Sequence, residues 1–114
     1  MSGSGAAWEI SVGEVKAKLD RREPMLLIDC RQPDEFAICR INGARLIPLG
    51  ELANRVDEVR ELADGRPVVI HCHHGGRSLK AASILRQAGI DGAQSMAGGI
   101  EAWAVGVDPT VARY

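Results

Sequence analysis

A chain of 114 residues and 12.2 kDa is long enough to bury one hydrophobic core without disulfide or metal staples, and short enough to be a single domain. Its 14 basic and 15 acidic residues leave a net charge of -1, which excludes nonspecific nucleic-acid binding, because that needs a basic excess. No apolar run approaches the roughly 18 residues that would cross a bilayer, and the N-terminus lacks the charged and apolar regions of a signal peptide, so the expected address is the cytoplasm.

Residues 1–7, rich in Gly, Ser and Ala, read as a flexible lead, and residues 8–114 as the folded domain. Glu9 and Ile10 suit a short first strand. Ser11-Val12-Gly13-Glu14 has the form of a capping box, and Val12, Val15 and Leu19 give the following helix an apolar stripe that ends near Asp20. After the turn at Arg21-Arg22-Glu23-Pro24, residues 25–29 form a continuous apolar run of the kind found in parallel strands covered on both faces. Pro33 opens a short helix through Asp34, Glu35 and Phe36. A third strand is expected over 44–47, and Leu52, Val56, Val59 and Leu62 mark the buried face of a helix that stops before Asp64-Gly65.

The chemistry is expected in the next stretch. Val68, Val69 and Ile70, entered through Pro67, suit a buried strand. The character then changes at once to His71-Cys72-His73-His74-Gly75-Gly76-Arg77-Ser78. Gly75 and Gly76 permit backbone dihedrals that other residues resist, and Ser78 is placed to cap a helix carrying Leu79, Ala82, Leu85 and Ala88 before Gly89. Cys72 is then at the lip of a turn whose N–H groups can point inward, with a helix N-terminus behind it. A thiol of ordinary pKa, about 8.5, is only a few per cent thiolate at pH 7. Inward amides, the helix dipole and the guanidinium of Arg77 all favour the anion. The loop is an anion socket with a nucleophile in its rim. Residues 92–96 supply a last strand, and Gly98-Gly99 turns into a helix holding Ile100 and the core anchor Trp103.

Other features are weighed against blander readings. Cys30, Cys39 and Cys72 make an odd count with no C-x-x-C pair, as suits a reducing compartment. Cys30 reads as packing. A resolving role for Cys30 or Cys39 stays open. His71 reads as packed, and His73 and His74 as loop residues facing solvent or substrate. Although His71, Cys72, His73 and His74 all carry ligand atoms, no second separated ligand pair accompanies them, so no metal site is assigned. Strands alternating with helices predict an α/β sandwich on a mainly parallel five-stranded sheet, with the site at the carboxyl ends of its strands, where Asp29 and Cys72 fall.

The loop 72–78, with Asp29-Cys30-Arg31-Gln32-Pro33-Asp34-Glu35-Phe36 upstream and Gly98-Gly99-Ile100-Glu101-Ala102-Trp103 downstream, resembles the rhodaneses, persulfide-forming sulfurtransferase domains. Order and spacing of the three motifs agree from about Trp8 to Tyr114. The resemblance implies a three-layer domain, a catalytic Cys72 assisted by Arg77, a substrate loop of His73, His74, Gly75, Gly76 and Ser78, and a structural brace of Asp29 and Arg31. Glu35 joins the brace by pairing with an arginine, or simply complements the start of its helix. Many rhodaneses read Gly-His-Ile-Pro-Gly-Ala where this chain has Cys39-Arg40-Ile41-Asn42-Gly43-Ala44, which places Arg40 at the active-site rim. That segment, the following Arg45-Leu46-Ile47-Pro48-Leu49, Val107-Asp108-Pro109 and Tyr114 are similar to rhodanese domains fused to the adenylyltransferases that activate sulfur-carrier proteins.

The expected function is therefore transfer of sulfane sulfur from a small anionic donor such as thiosulfate, through Cys72, to a nucleophilic acceptor. A sulfur-carrier protein and a thioredoxin-like protein are candidate acceptors. Neither a cofactor nor a metal is required, and neither nucleic acid nor a membrane is an expected partner. Two alternatives belong to other classes. His71-Cys72 followed by an arginine resembles the signature of cysteine phosphatases and arsenate reductases, though four residues separate Cys72 from Arg77 where that signature has five. A noncatalytic rhodanese-like interaction module is the other, although that class usually lacks the loop cysteine.

Overall fold

The computed structural model describes residues 7–114; apart from Ala7, the expected flexible lead at 1–7 lies outside the described residues. Glu9–Ile10 (β1) leads into Val12–Asp20 (α1), followed by Leu26–Asp29 (β2), Pro33–Ile38 (α2) and Arg45–Leu46 (β3). Leu49–Leu52 (α3), a 3-10 turn at Ala53–Arg55 and Val56–Ala63 (α4) come next, then Val68–His71 (β4), Gly76–Gln87 (α5), Gln94–Met96 (β5) and Gly99–Gly106 (α6). The five strands run in the order β1-β5-β4-β2-β3, and every pairing is parallel.

Strand alternation divides the core into two layers. Leu26 pairs in register with Val68, Leu27 with Val69 and Ile28 with Ile70. Successive side chains point to opposite faces, so Leu26, Ile28, Val68 and Ile70 meet Leu52, Val59, Ala63, Ala81, Ala82 and Leu85 of α3, α4 and α5. Leu27 and Val69 face the other way and pack with Val15 of α1 and with Ile100 and Trp103 of α6. Both faces of β2 and β4 are thus covered. This is why their sequences are continuous apolar runs rather than alternating ones.

Several expectations are corrected by the local structure. Ser78 is not the cap of α5. Gly75 holds that position, with φ +115°, and Ser78 is buried in the first turn, where its hydroxyl serves the cysteine. The single helix expected from Leu52 to Leu62 is broken by the 3-10 turn. β3 and β5 are shorter than predicted, at two and three residues. Ser11 does cap α1, its Oγ accepting from Glu14 N at 3.1 Å.

Candidate active site

Cys72 leaves the carboxyl end of β4, the middle strand, and is almost fully buried. Its Sγ accepts from Gly75 N at 3.1 Å and from Ser78 N at 3.3 Å, and lies 3.4 Å from Ser78 Oγ. Ser78 Oγ is itself 2.7 Å from Ser95 Oγ of β5. With Ser95 donating, the Ser78 proton is shared between the Gly75 carbonyl, 3.2 Å away, and the sulfur.

The loop is held from behind by α6. Ile100 N donates to Cys72 O at 2.8 Å and Glu101 N to His73 O at 3.1 Å. These first-turn amides would otherwise lack partners, and by drawing the loop carbonyls toward α6 they leave the following N–H groups facing the sulfur. A Cβ on Gly99 would run into the carbonyls of Cys72 and His73, and Gly99 has φ +61° besides. Only glycine allows α6 to come this close.

The thiol of Cys72 is lowered to about 4. The neighbouring Cys30 thiol is the largest cause; the Ser78 hydroxyl and the amides of Ser78 and Gly75 add to it, and burial opposes them. Cys30 is correspondingly raised, by the neighbouring Cys72 and by burial. Sequence reasoning assigned Cys30 to packing. It is indeed fully buried in the core, but it is also the neighbour of the nucleophile. Cys30 follows Asp29 at the end of β2 as Cys72 follows His71 at the end of β4, and the Asp29–His71 register makes the two cysteines neighbours.

Asp29 and Arg31 form a fully buried pair, with Arg31 Nε 2.9 Å from Asp29 Oδ1 and Nη2 2.7 Å from Oδ2. Arg31 also donates to Cys39 O at 2.6 Å and to Tyr114 Oη at 2.9 Å. Arg77 does not touch the Cys72 sulfur. Its guanidinium is bidentate on Glu35, at 2.7 and 2.9 Å, and acts on the thiolate only through space. Arg77 holds the Glu35 carboxyl down to about 2, with the Gln32 amide and the Tyr114 hydroxyl contributing against burial.

His71 is fully buried with both ring nitrogens unpartnered, and Nε2 is 3.7 Å from Asp29 Oδ2, too far for a hydrogen bond. Burial lowers its pKa, so it is neutral at neutral pH. His73 is half-buried rather than free in solvent: its ring stacks on Tyr114 at 3.9 Å and on the exposed His74 at 4.0 Å. Arg40 is not brought to the cysteine loop. Its guanidinium lies 4.2 Å over the ring of Phe36 and lines a separate cleft with Lys16, Ile41 and Trp103. Among the described residues, no group of three or more His, Cys, Asp or Glu is placed to hold a metal ion.

These features define a class: a parallel α/β domain that presents an acidic, amide-cradled cysteine at the carboxyl end of its middle strand. The chain belongs to the Rhodanese-like domain family, whose model matches residues 11–105. It is 36% identical over 105 residues to "Probable adenylyltransferase/sulfurtransferase MoeZ" of Mycobacterium tuberculosis, a match covering 92% of this chain and 26% of that protein. It therefore spans about a quarter of the length of the curated relatives it matches first. Among solved structures it is similar to human single-domain sulfurtransferase TSTD1, with a TM-score of 0.75, 28% identity and coverage of 89% of this chain and 98% of that one. It is also similar to a thiosulfate sulfurtransferase from Pseudomonas aeruginosa, with a TM-score of 0.79, 28% identity and coverage of 92% and 20%. No helix among the described residues is long and apolar enough to cross a membrane.

Proposed function

We propose that the domain transfers sulfane sulfur by double displacement through a persulfide on Cys72. The observation that carries this reading is the convergence of two amides and a hydroxyl on a buried Sγ whose pKa is depressed. The Cys72 thiolate attacks the outer sulfur of thiosulfate; the new S–S bond forms as the old one breaks, and sulfite leaves with the electron pair. Charge moves outward by one atom to the terminal sulfur. The amides of Gly76 and Arg77, in the first turn of α5, have no intrahelical partners and are the donors assigned to that sulfur. An acceptor nucleophile then takes the terminal sulfur and restores the thiolate.

The similarity to adenylyltransferase/sulfurtransferases supports a protein acceptor, specifically a sulfur-carrier protein with an activated Gly-Gly terminus, and a thioredoxin-like dithiol is a second acceptor class. The phosphatase alternative is less well supported. A phosphate brings three peripheral oxygens, whereas this loop is one residue shorter than that signature and its arginine is occupied by Glu35. Cys72→Ser is expected to abolish sulfur transfer from thiosulfate to cyanide, while Cys39→Ser retains most of it. Substantial turnover by the Cys72 variant would refute the mechanism.

A further inference from the structure

Tyr114 is remote in sequence from the cysteine loop, yet it touches Arg31, Glu35 and His73 around it. Its hydroxyl donates to Glu35 Oε2 at 2.8 Å and accepts from Arg31 Nη1 at 2.9 Å. It thereby joins the buried Asp29–Arg31 pair to the carboxylate that holds Arg77. Its ring lies 3.9 Å from that of His73, with the planes 7° apart, and His73 stacks in turn on His74. The segment bringing Tyr114 here is anchored by Arg113, whose Nε donates to Glu101 Oε2 at 2.9 Å on α6. Because Glu101 N binds the carbonyl of His73 at 3.1 Å, both attachments converge on one loop residue.

We infer that Tyr114 is a positioning residue of the Cys72 site, its ring fixing the His73 side of the loop and its hydroxyl governing how tightly Glu35 holds Arg77. This rests on the sulfurtransferase reading for its kinetic consequences, but not for its effect on the thiol. The Gly75 amide reaches Sγ two residues beyond His73, so freeing that ring loosens a donor that stabilises the thiolate. The hydroxyl acts separately. Glu35 accepts from Gln32 N, Arg77 and Tyr114, and losing the phenol leaves the carboxylate more dependent on the guanidinium. An anionic donor must then compete harder for Arg77.

The two contributions separate in a pair of variants. Tyr114→Ala removes ring and hydroxyl; Tyr114→Phe removes only the hydroxyl. The pH profile of Cys72 alkylation by iodoacetamide and the thiosulfate kinetics are to be compared at a temperature where circular dichroism shows all three proteins folded. Tyr114→Ala is expected to raise the apparent pKa of Cys72 and lower kcat/KM at least about tenfold. Tyr114→Phe is expected to return the alkylation profile to that of the wild type while KM for thiosulfate stays several-fold higher and kcat is little changed. A wild-type alkylation profile in folded Tyr114→Ala, or a Tyr114→Phe profile as shifted as that of Tyr114→Ala, would overturn the inference. If the wild type takes no sulfur from thiosulfate, the proposed function fails instead, and the alkylation profiles still decide the role of Tyr114.

Discussion

Arg77 and Glu35 form a bidentate ion pair, at 2.7 and 2.9 Å, between the first turn of α5 and the first turn of α2. The positive charge expected to bear on the Cys72 sulfur is therefore spent mainly in tying the loop to a neighbouring helix. The direct donors to the sulfur are Gly75 and Ser78. Arg77→Ala should accordingly leave the alkylation pKa of Cys72 close to wild type but weaken the use of thiosulfate by about tenfold, equivalent to about 1.4 kcal/mol. A large rise in alkylation pKa in this variant would show that the guanidinium, not the amide cradle, sets the thiolate.

The Cys30 thiol makes a different prediction. As the first cause of the lowered Cys72 pKa, it is a polar neighbour of the sulfur that a hydroxyl can replace and a methyl cannot. Cys30→Ala should raise the alkylation pKa of Cys72, and Cys30→Ser should restore most of the depression. The wild-type alkylation rate should stay flat from neutral pH down to about 5 and fall only on approach to about 4. Equal profiles for the alanine and serine variants would remove Cys30 from the account.

Acid stability follows from Glu35. Its folded pKa, about 2, lies below the unfolded value of about 4.3. A depressed acid contributes stability that is fully present above the unfolded value and is lost as pH falls through the folded one. Urea midpoints of the wild type should thus decline between about pH 4.5 and about pH 2, and Glu35→Gln should be less stable at neutral pH but show a shallower decline across that window. A decline as steep in Glu35→Gln would assign the acid transition to other carboxylates.

Much of this architecture was legible in the residue pattern because the pattern had a physical cause. The continuous apolar runs at 25–29 and 68–70 reflect strands buried on both faces, and the Cys72 loop announces itself by an abrupt change from β-branched to polar and glycine residues. Neither strand taken alone shows that Cys30 and Cys72 are neighbours. The role of Cys30 emerges only from the register that pairs Asp29 with His71. Ser78 had the right chemistry for a cap, but the left-handed conformation of Gly75 starts the helix three residues earlier and turns the hydroxyl inward. Arg40 shows the reverse: the resemblance puts it at the rim, in the place of a histidine of the rhodanese pattern, yet its stacking on Phe36 carries it to another cleft. The reach of Tyr114 across the fold, a separation of 83 residues from Arg31, leaves no local trace in the sequence.

Intact-protein mass spectrometry after incubation with thiosulfate reads out whether Cys72 carries the transferred sulfur. A gain of one sulfur atom is expected, mapped to Cys72 by digestion, absent from Cys72→Ser, and removed by cyanide or dithiothreitol. An unchanged mass, or a sulfur that maps to Cys30 or Cys39 and persists in Cys72→Ser, would contradict it.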